Sequence, residues 1–209
     1  MRSAPSVPRD PALVAAMFLT VWLAGCGSLL GPSNPPAQIY RLNPQFAVQQ
    51  VGQPVAWQLA VARPDTTQTL DTDRIALLRG SVIDYYADAQ WNDSAPRLVQ
   101  SLLIQAFDKS GRVQAATRDS ASLRADLTLA TELRDFEAQY DSGNAAPLVV
   151  IDLQAKLLDQ RGQVIASVES RQTTRASQNN VASVVEAFDQ ATAATLSRIV
   201  GWTLQATPR

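Results

Sequence analysis

The amino-acid sequence predicts an α/β chain of the α+β kind, a mixed and largely antiparallel sheet with a mid-chain helix and a long C-terminal helix packed on it. Three observations carry this expectation. Two short alternating runs flank Gly80-Ser81, three longer alternating runs follow one another between Ala125 and Arg175, and the chain closes on apolar residues recurring every three to four positions. The 209 residues suffice for one ordinary domain behind a short leader.

Residues 1–25 read as an export signal and stand outside the fold. Arg2 and Arg9 give a positive start, Ala12 to Leu23 an apolar core, and Leu23-Ala24-Gly25-Cys26 small residues at a cut followed by a thiol. A membrane-spanning helix would need roughly 20 apolar residues, more than this run supplies. Gly25 and Cys26 flank the expected cleavage, and Leu23–Cys26 resembles the lipobox of bacterial lipoproteins. In that pattern the cysteine takes a diacylglycerol on sulfur and an acyl chain such as palmitate on its new amino group. A secreted protein whose cysteine falls beside the cut by chance is the competing reading. Cys26 is the chain's one cysteine, so no internal disulfide forms. Gly27 stands where an aspartate would resemble an inner-membrane retention signal, which favours the periplasmic face of the outer membrane. Residues 26–37 include Gly27, Gly31, Pro32, Pro35 and Pro36 and read as a flexible tether. Residues 38–209 form the expected single domain.

Within that domain, Ile39–Leu42 and Trp57–Val61 alternate apolar and polar positions as short strands, and Ile75–Arg79 with Val82–Tyr86 form a hairpin. Asp93 or Ser94 caps a helix with Pro96 in its first turn; Leu98, Leu102, Ala106 and Phe107 make its stripe, and Lys109-Ser110-Gly111 ends it. Ala125–Tyr140, Leu148–Leu158 and Gln163–Arg175 then make an antiparallel meander, with turns at Asp141–Asn144 and Asp159–Gly162. Val149, Ile151, Leu153, Ala155 and Leu157 share one face of the middle strand and need cover. A helix from about Val181 to Leu204 supplies it, through Val184, Val185, Phe188, Ala191, Thr195, Ile199 and Trp202.

The chemistry available is narrow. The chain has no histidine, which removes histidine bases, triads and metal ligands, and its one cysteine cannot build a thiolate zinc site. None of the nine glycines falls in a nucleotide-binding loop. Without Arg2, Arg9 and Asp10 the remaining chain holds 16 basic and 18 acidic residues, a balance that speaks against nucleic acid. Neither a catalytic nor a metal site is expected, and no cofactor beyond the lipid on Cys26. Asp71 with Asp73, Asp135 with Glu137, and Asp141 are the acidic groupings, and a solvated surface accounts for each. Tyr85, Tyr86 and Trp91 are the candidate interface, with packing of the first helix onto the sheet as the alternative. Glu169–Arg175 is polar on both faces and reads as a sheet edge, open to a partner or a second copy, with an edge simply kept soluble by its charges as the equal alternative.

Taken together, the lipobox, Tyr40-Arg41-Leu42, Arg74-Ile75, Tyr85 to Trp91 followed by Pro96-Arg97-Leu98, the Phe136 strand and the Val184-Val185-Ala187-Phe188 helix resemble the ABC-type transport auxiliary lipoproteins, a family that includes paraquat-inducible protein C. The resemblance implies an outer-membrane docking component of an ABC/MCE lipid transport system, with an MCE-domain periplasmic protein and ABC transporter components as partners and homo-oligomers in some members. A structural or assembly lipoprotein of another envelope complex is the alternative, and a carboxylate hydrolase ranks below both.

Overall fold

A long central strand organises the sheet and is met by short strands on one side and long ones on the other. The computed structural model describes residues 36–46, 53–118, 125–141 and 145–206. Its elements are β1 (Gln38–Tyr40), β2 (Gln58–Val61), β3 (Asp65–Thr66), β4 (Arg74–Arg79), β5 (Val82–Trp91), α1 (Ala95–Ser110), β6 (Ala115–Arg118), β7 (Leu127–Tyr140), β8 (Leu148–Leu158), β9 (Val164–Arg175) and α2 (Val181–Ala206). From Ala37 onward the chain forms one compact unit.

Along one side of β7, strands β2, β3 and β4 follow in succession, all parallel to it. On its other side β8 runs antiparallel, and β9 runs antiparallel to β8. β5 folds back on β4, β1 adds parallel to β5, and β6 adds parallel to β2. The long ladders and the hairpin are thus antiparallel, and the parallel contacts are short. This is the mixed, mainly antiparallel sheet the sequence implied.

β3 and β6 gave no sequence signal. Asp65-Thr66 and Ala115–Arg118 are too short to show an alternation, and their pairing comes from β7 and β2 rather than from their own side chains. β5 runs five residues past the expected Tyr86. Its register against β4 jumps from Tyr85 opposite Ala76 to Gln90 opposite Arg74, so Tyr86–Ala89 leave the β4 ladder before it resumes.

The hairpin turn has Gly80 at φ 61, the left-handed position that costs glycine nothing. α1 begins with Ser94 in extended conformation at the N-cap, but its hydroxyl makes no capping bond; Asp93 instead accepts from the Ser94 N–H at 2.8 Å. The helix ends at Gly111, φ 62, whose N–H returns to the Asp108 carbonyl. At α2, Asn180 caps, its side-chain oxygen accepting from the Ser183 N–H at 2.9 Å. The expected turn at Asp159–Gly162 forms, with Asp159 accepting from the N–H groups of Arg161 and Gln163. Asn144 and its two predecessors, in the other expected turn, lie outside the described residues.

Both helices contribute to one apolar core. At its centre Trp91 of β5, Phe136 of β7 and Phe188 of α2 meet with ring centroids 4.9 to 6.0 Å apart, Trp91 edge-on to Phe188. Buried Gln100 ties α1 to the sheet by donating to the Val61 carbonyl at 2.9 Å, which satisfies a strand-end acceptor that would otherwise be stranded. Asp189 of α2 accepts from the Asn43 N–H at 2.6 Å and so pins the stretch after β1.

Candidate functional site

The expected cleavage and lipidation residues, Gly25 and Cys26, lie outside the described residues. The candidate interface does not, and the structure separates its three members. Trp91 is 1% exposed at the core centre. It belongs to no surface, because β5 resumes its ladder after the bulge with Trp91 turned inward. The rings that it packs come from β7 and α2, not from the first helix.

Tyr85 and Tyr86, on either side of the point where the β4 ladder breaks, reach different partners. Tyr85, half-buried, donates to the Thr69 carbonyl at 2.9 Å, and the Arg74 guanidinium lies 3.9 Å above its ring. Tyr86 shares a 2.8 Å hydrogen bond with the Tyr140 hydroxyl, and Tyr140 donates to Asn179 at 2.9 Å. Since Tyr140 has one proton and spends it on Asn179, Tyr86 is the donor of the shared bond. Burial, reinforced by Tyr140, pushes the Tyr86 phenol above its ordinary value, so it stays protonated at neutral pH. Arg79 lies 5.1 Å over the Tyr140 ring. This arrangement links the end of β7 to the residues before α2.

The acidic groupings are also dispersed. Asp71 pairs with Arg63 at 2.5 Å and Asp141 with Arg175 at 3.2 Å, both exposed, and Asp73 is exposed. Asp135 and Asp152 sit directly opposite each other on β7 and β8, and Arg171 of β9 bonds both, to Asp152 at 3.0 Å. These two bonds keep the guanidinium firmly charged. Glu137 departs from the solvated surface expected of it. It is 5% exposed because β4 flanks β7 at that point, and burial raises its carboxyl above the usual range against the opposing donation from Gln139. Among the described residues no three acidic, cysteine or histidine side chains converge as a metal would require.

An open groove of about 510 Å³ runs where β3 meets β7 and β8, lined by Asp65, Glu132, Arg134, Gln154 and Lys156 among others. It carries both signs of charge, and Arg134 in it bonds Gln154 at 2.6 Å and reaches Glu132 at 3.3 Å and, on β9, Glu169 at 3.6 Å. That is a structural brace across three strands. β9, by contrast, is the sheet edge its two-sided polarity implied, pairing with β8 on one side. Among the described residues no helix is long and apolar enough to cross a membrane.

Comparison with known proteins gives these features a setting. The family model for the ABC-type transport auxiliary lipoprotein component matches residues 40–200. A crystal structure of a protein from Xanthomonas campestris superposes with a TM-score of 0.76 at 31% identity, covering 81% of this chain and 96% of that one. A second solved protein, at 13% identity and a TM-score of 0.64 over 81% of this chain and 99% of its own, shares the fold. An uncharacterized protein of Bradyrhizobium diazoefficiens is 30% identical over 185 residues, 88% of this chain and 50% of the relative. The chain thus spans about half the length of that curated relative.

Proposed function

Because this chain belongs to the ABC-type transport auxiliary lipoprotein family, we propose that it is the lipid-anchored docking component of an ABC/MCE-type lipid transport system at the outer membrane. The observation that carries the reading is the match of residues 40–200 to that family, directly downstream of a lipobox with the chain's one cysteine. In this reading Cys26 is cleaved free and triacylated. One acyl chain holds a protein to a bilayer only reversibly, whereas several make a lasting anchor at about 0.8 kcal/mol per buried CH₂.

The domain's part is contact. An ATPase and a lipid-conducting MCE-domain protein lie on other polypeptides, and this chain holds their periplasmic end to the outer membrane. β9 offers an outward strand edge to such a partner or to a second copy. The test is fractionation of the native cell envelope with mass spectrometry of the N-terminal peptide. The account expects a triacylated peptide beginning at Cys26 in the outer-membrane fraction. An unmodified Cys26 would overturn the anchor, and a triacylated peptide confined to the inner membrane would overturn the location.

A further inference from the structure

We propose that the tip of the β4–β5 hairpin, carrying Val82 and Ile83, rests on the lipid surface to which the chain is tethered; the inference builds on the anchoring of Cys26. The two side chains are 63% and 40% exposed, adjacent aliphatics held out by the Gly80-Ser81 turn. Exposure alone does not mark a lipid contact, since single exposed aliphatics are ordinary on a surface; the position of this pair does.

The tether selects which surface. β1 runs parallel to β5, with Gln38 opposite Ala89 and Tyr40 opposite Trp91, so the chain enters β1 from the hairpin's end of the sheet. Val82 is seven residues before Ala89, roughly 23 Å at about 3.3 Å per strand residue. Residues 26–36 reach roughly 36 Å when extended at the same rise. The described chain therefore enters β1 from the tip's end of the sheet, and the length of residues 26–36 exceeds the span from Ala89 to Val82.

The surroundings of the tip favour lipid over a charged partner. Arg79 and Asp84 flank it with opposite signs, and on the same end Arg175 and Asp141 neutralise each other. A neutral tip with two aliphatic residues inserts through apolar contact, so the contact should persist at high salt. A second exposed pair, Val164 (55%) and Ile165 (41%), follows the β8–β9 turn. The register puts Val164 opposite Leu158, at the far end of β8 from Leu148, which marks the hairpin's end, so this pair serves as an internal control.

The experiment reconstitutes the lipidated full chain in vesicles of phosphatidylethanolamine and phosphatidylglycerol. A Val82→Cys or a Val164→Cys variant carries an environment-sensitive fluorophore, the Cys26 thiol being occupied by lipid. The account expects several-fold brighter, blue-shifted emission at position 82, quenched by spin-labelled lipid, and aqueous emission at 164. Aqueous emission at 82, or equal responses at both positions, would overturn it, including the case in which the tip meets a protein instead. Should the N-terminal peptide prove unmodified, the anchor reading fails by itself. The tip is then read by flotation of the same unanchored chain with these vesicles: binding lost in V82D/I83D but kept in V164D/I165D upholds it, and no flotation overturns it.

Discussion

On the helix-covered face of β8, Val149, Ile151, Leu153, Ala155 and Leu157 are at most 2% exposed, and they pack into the same core as Phe136 and Phe188. On the other face of the same strand Asp152 and Gln154 are held by cross-strand bonds to Arg171 and Arg134, and Lys156 stands exposed. One alternation thus builds two surfaces with different physics. Packing fixes the first, where each atom removed leaves a cavity that rigid neighbours cannot fill. Paired charges fix the second, and each exposed pair is weakened by water and salt. The difference assigns stability to the helix side and leaves the polar side, the β9 edge and the hairpin tips for contact with other molecules.

The largest expected break in this contrast is on the packed face. Phe136→Ala or Phe188→Ala empties one corner of the aromatic trio and should cost about 3–5 kcal/mol in urea unfolding. A loss below about 1 kcal/mol would show that the trio is not the centre of the core.

Asp152→Ala comes next, at about 1–3 kcal/mol, because a buried carboxylate that holds Arg171 is removed. Asp135 is more exposed and shares the same arginine, so Asp135→Ala should cost less in the same assay. The reverse order would mean that burial does not rank these two bonds.

Glu137 gives a smaller effect with a defined sign. Its folded pKa is raised by burial, so the unfolded chain loses that proton first as pH rises. Stability relative to acid therefore falls between the ordinary glutamate value and the raised folded value, and stays lower above it. Glu137→Gln should remove that fall; a wild-type and variant difference constant from pH 4 to pH 8 would contradict it.

The smallest effect belongs to the exposed brace. Arg134→Ala should shift the urea midpoint least of these variants, and less still in high salt, despite its three partners.

The meander and both helices were legible because their signals are long. β7, β8 and β9 alternate over more than ten residues each, and the α2 stripe repeats from Val184 to Ile199. β3 and β6 were hidden because their pairing is decided by distant strands, and the extent of β5 because its bulge interrupts the alternation. The same limit affected the candidate interface. Sequence placed Tyr85, Tyr86 and Trp91 together, but a bulge re-aims side chains after it, and Trp91 passed to the core. Glu137 escapes the sequence for a related reason: it stands between buried Ala76 of β4 and buried Val150 of β8, pairings no local pattern reveals. Tyr140, the hydrogen-bond partner of Tyr86, could have been suspected only from its place at the end of an apolar strand face.

The central claim is that this domain docks a lipid transport assembly to the membrane holding Cys26. Its most direct test is affinity purification from separated inner and outer membranes of cells carrying the wild type or Cys26→Ala, with co-purifying proteins identified by mass spectrometry. The account predicts an MCE-domain protein recovered with the wild type from the outer-membrane fraction and lost from that fraction in Cys26→Ala. A lipidated wild type that brings down no MCE or ABC component would contradict the docking role while leaving the anchor intact.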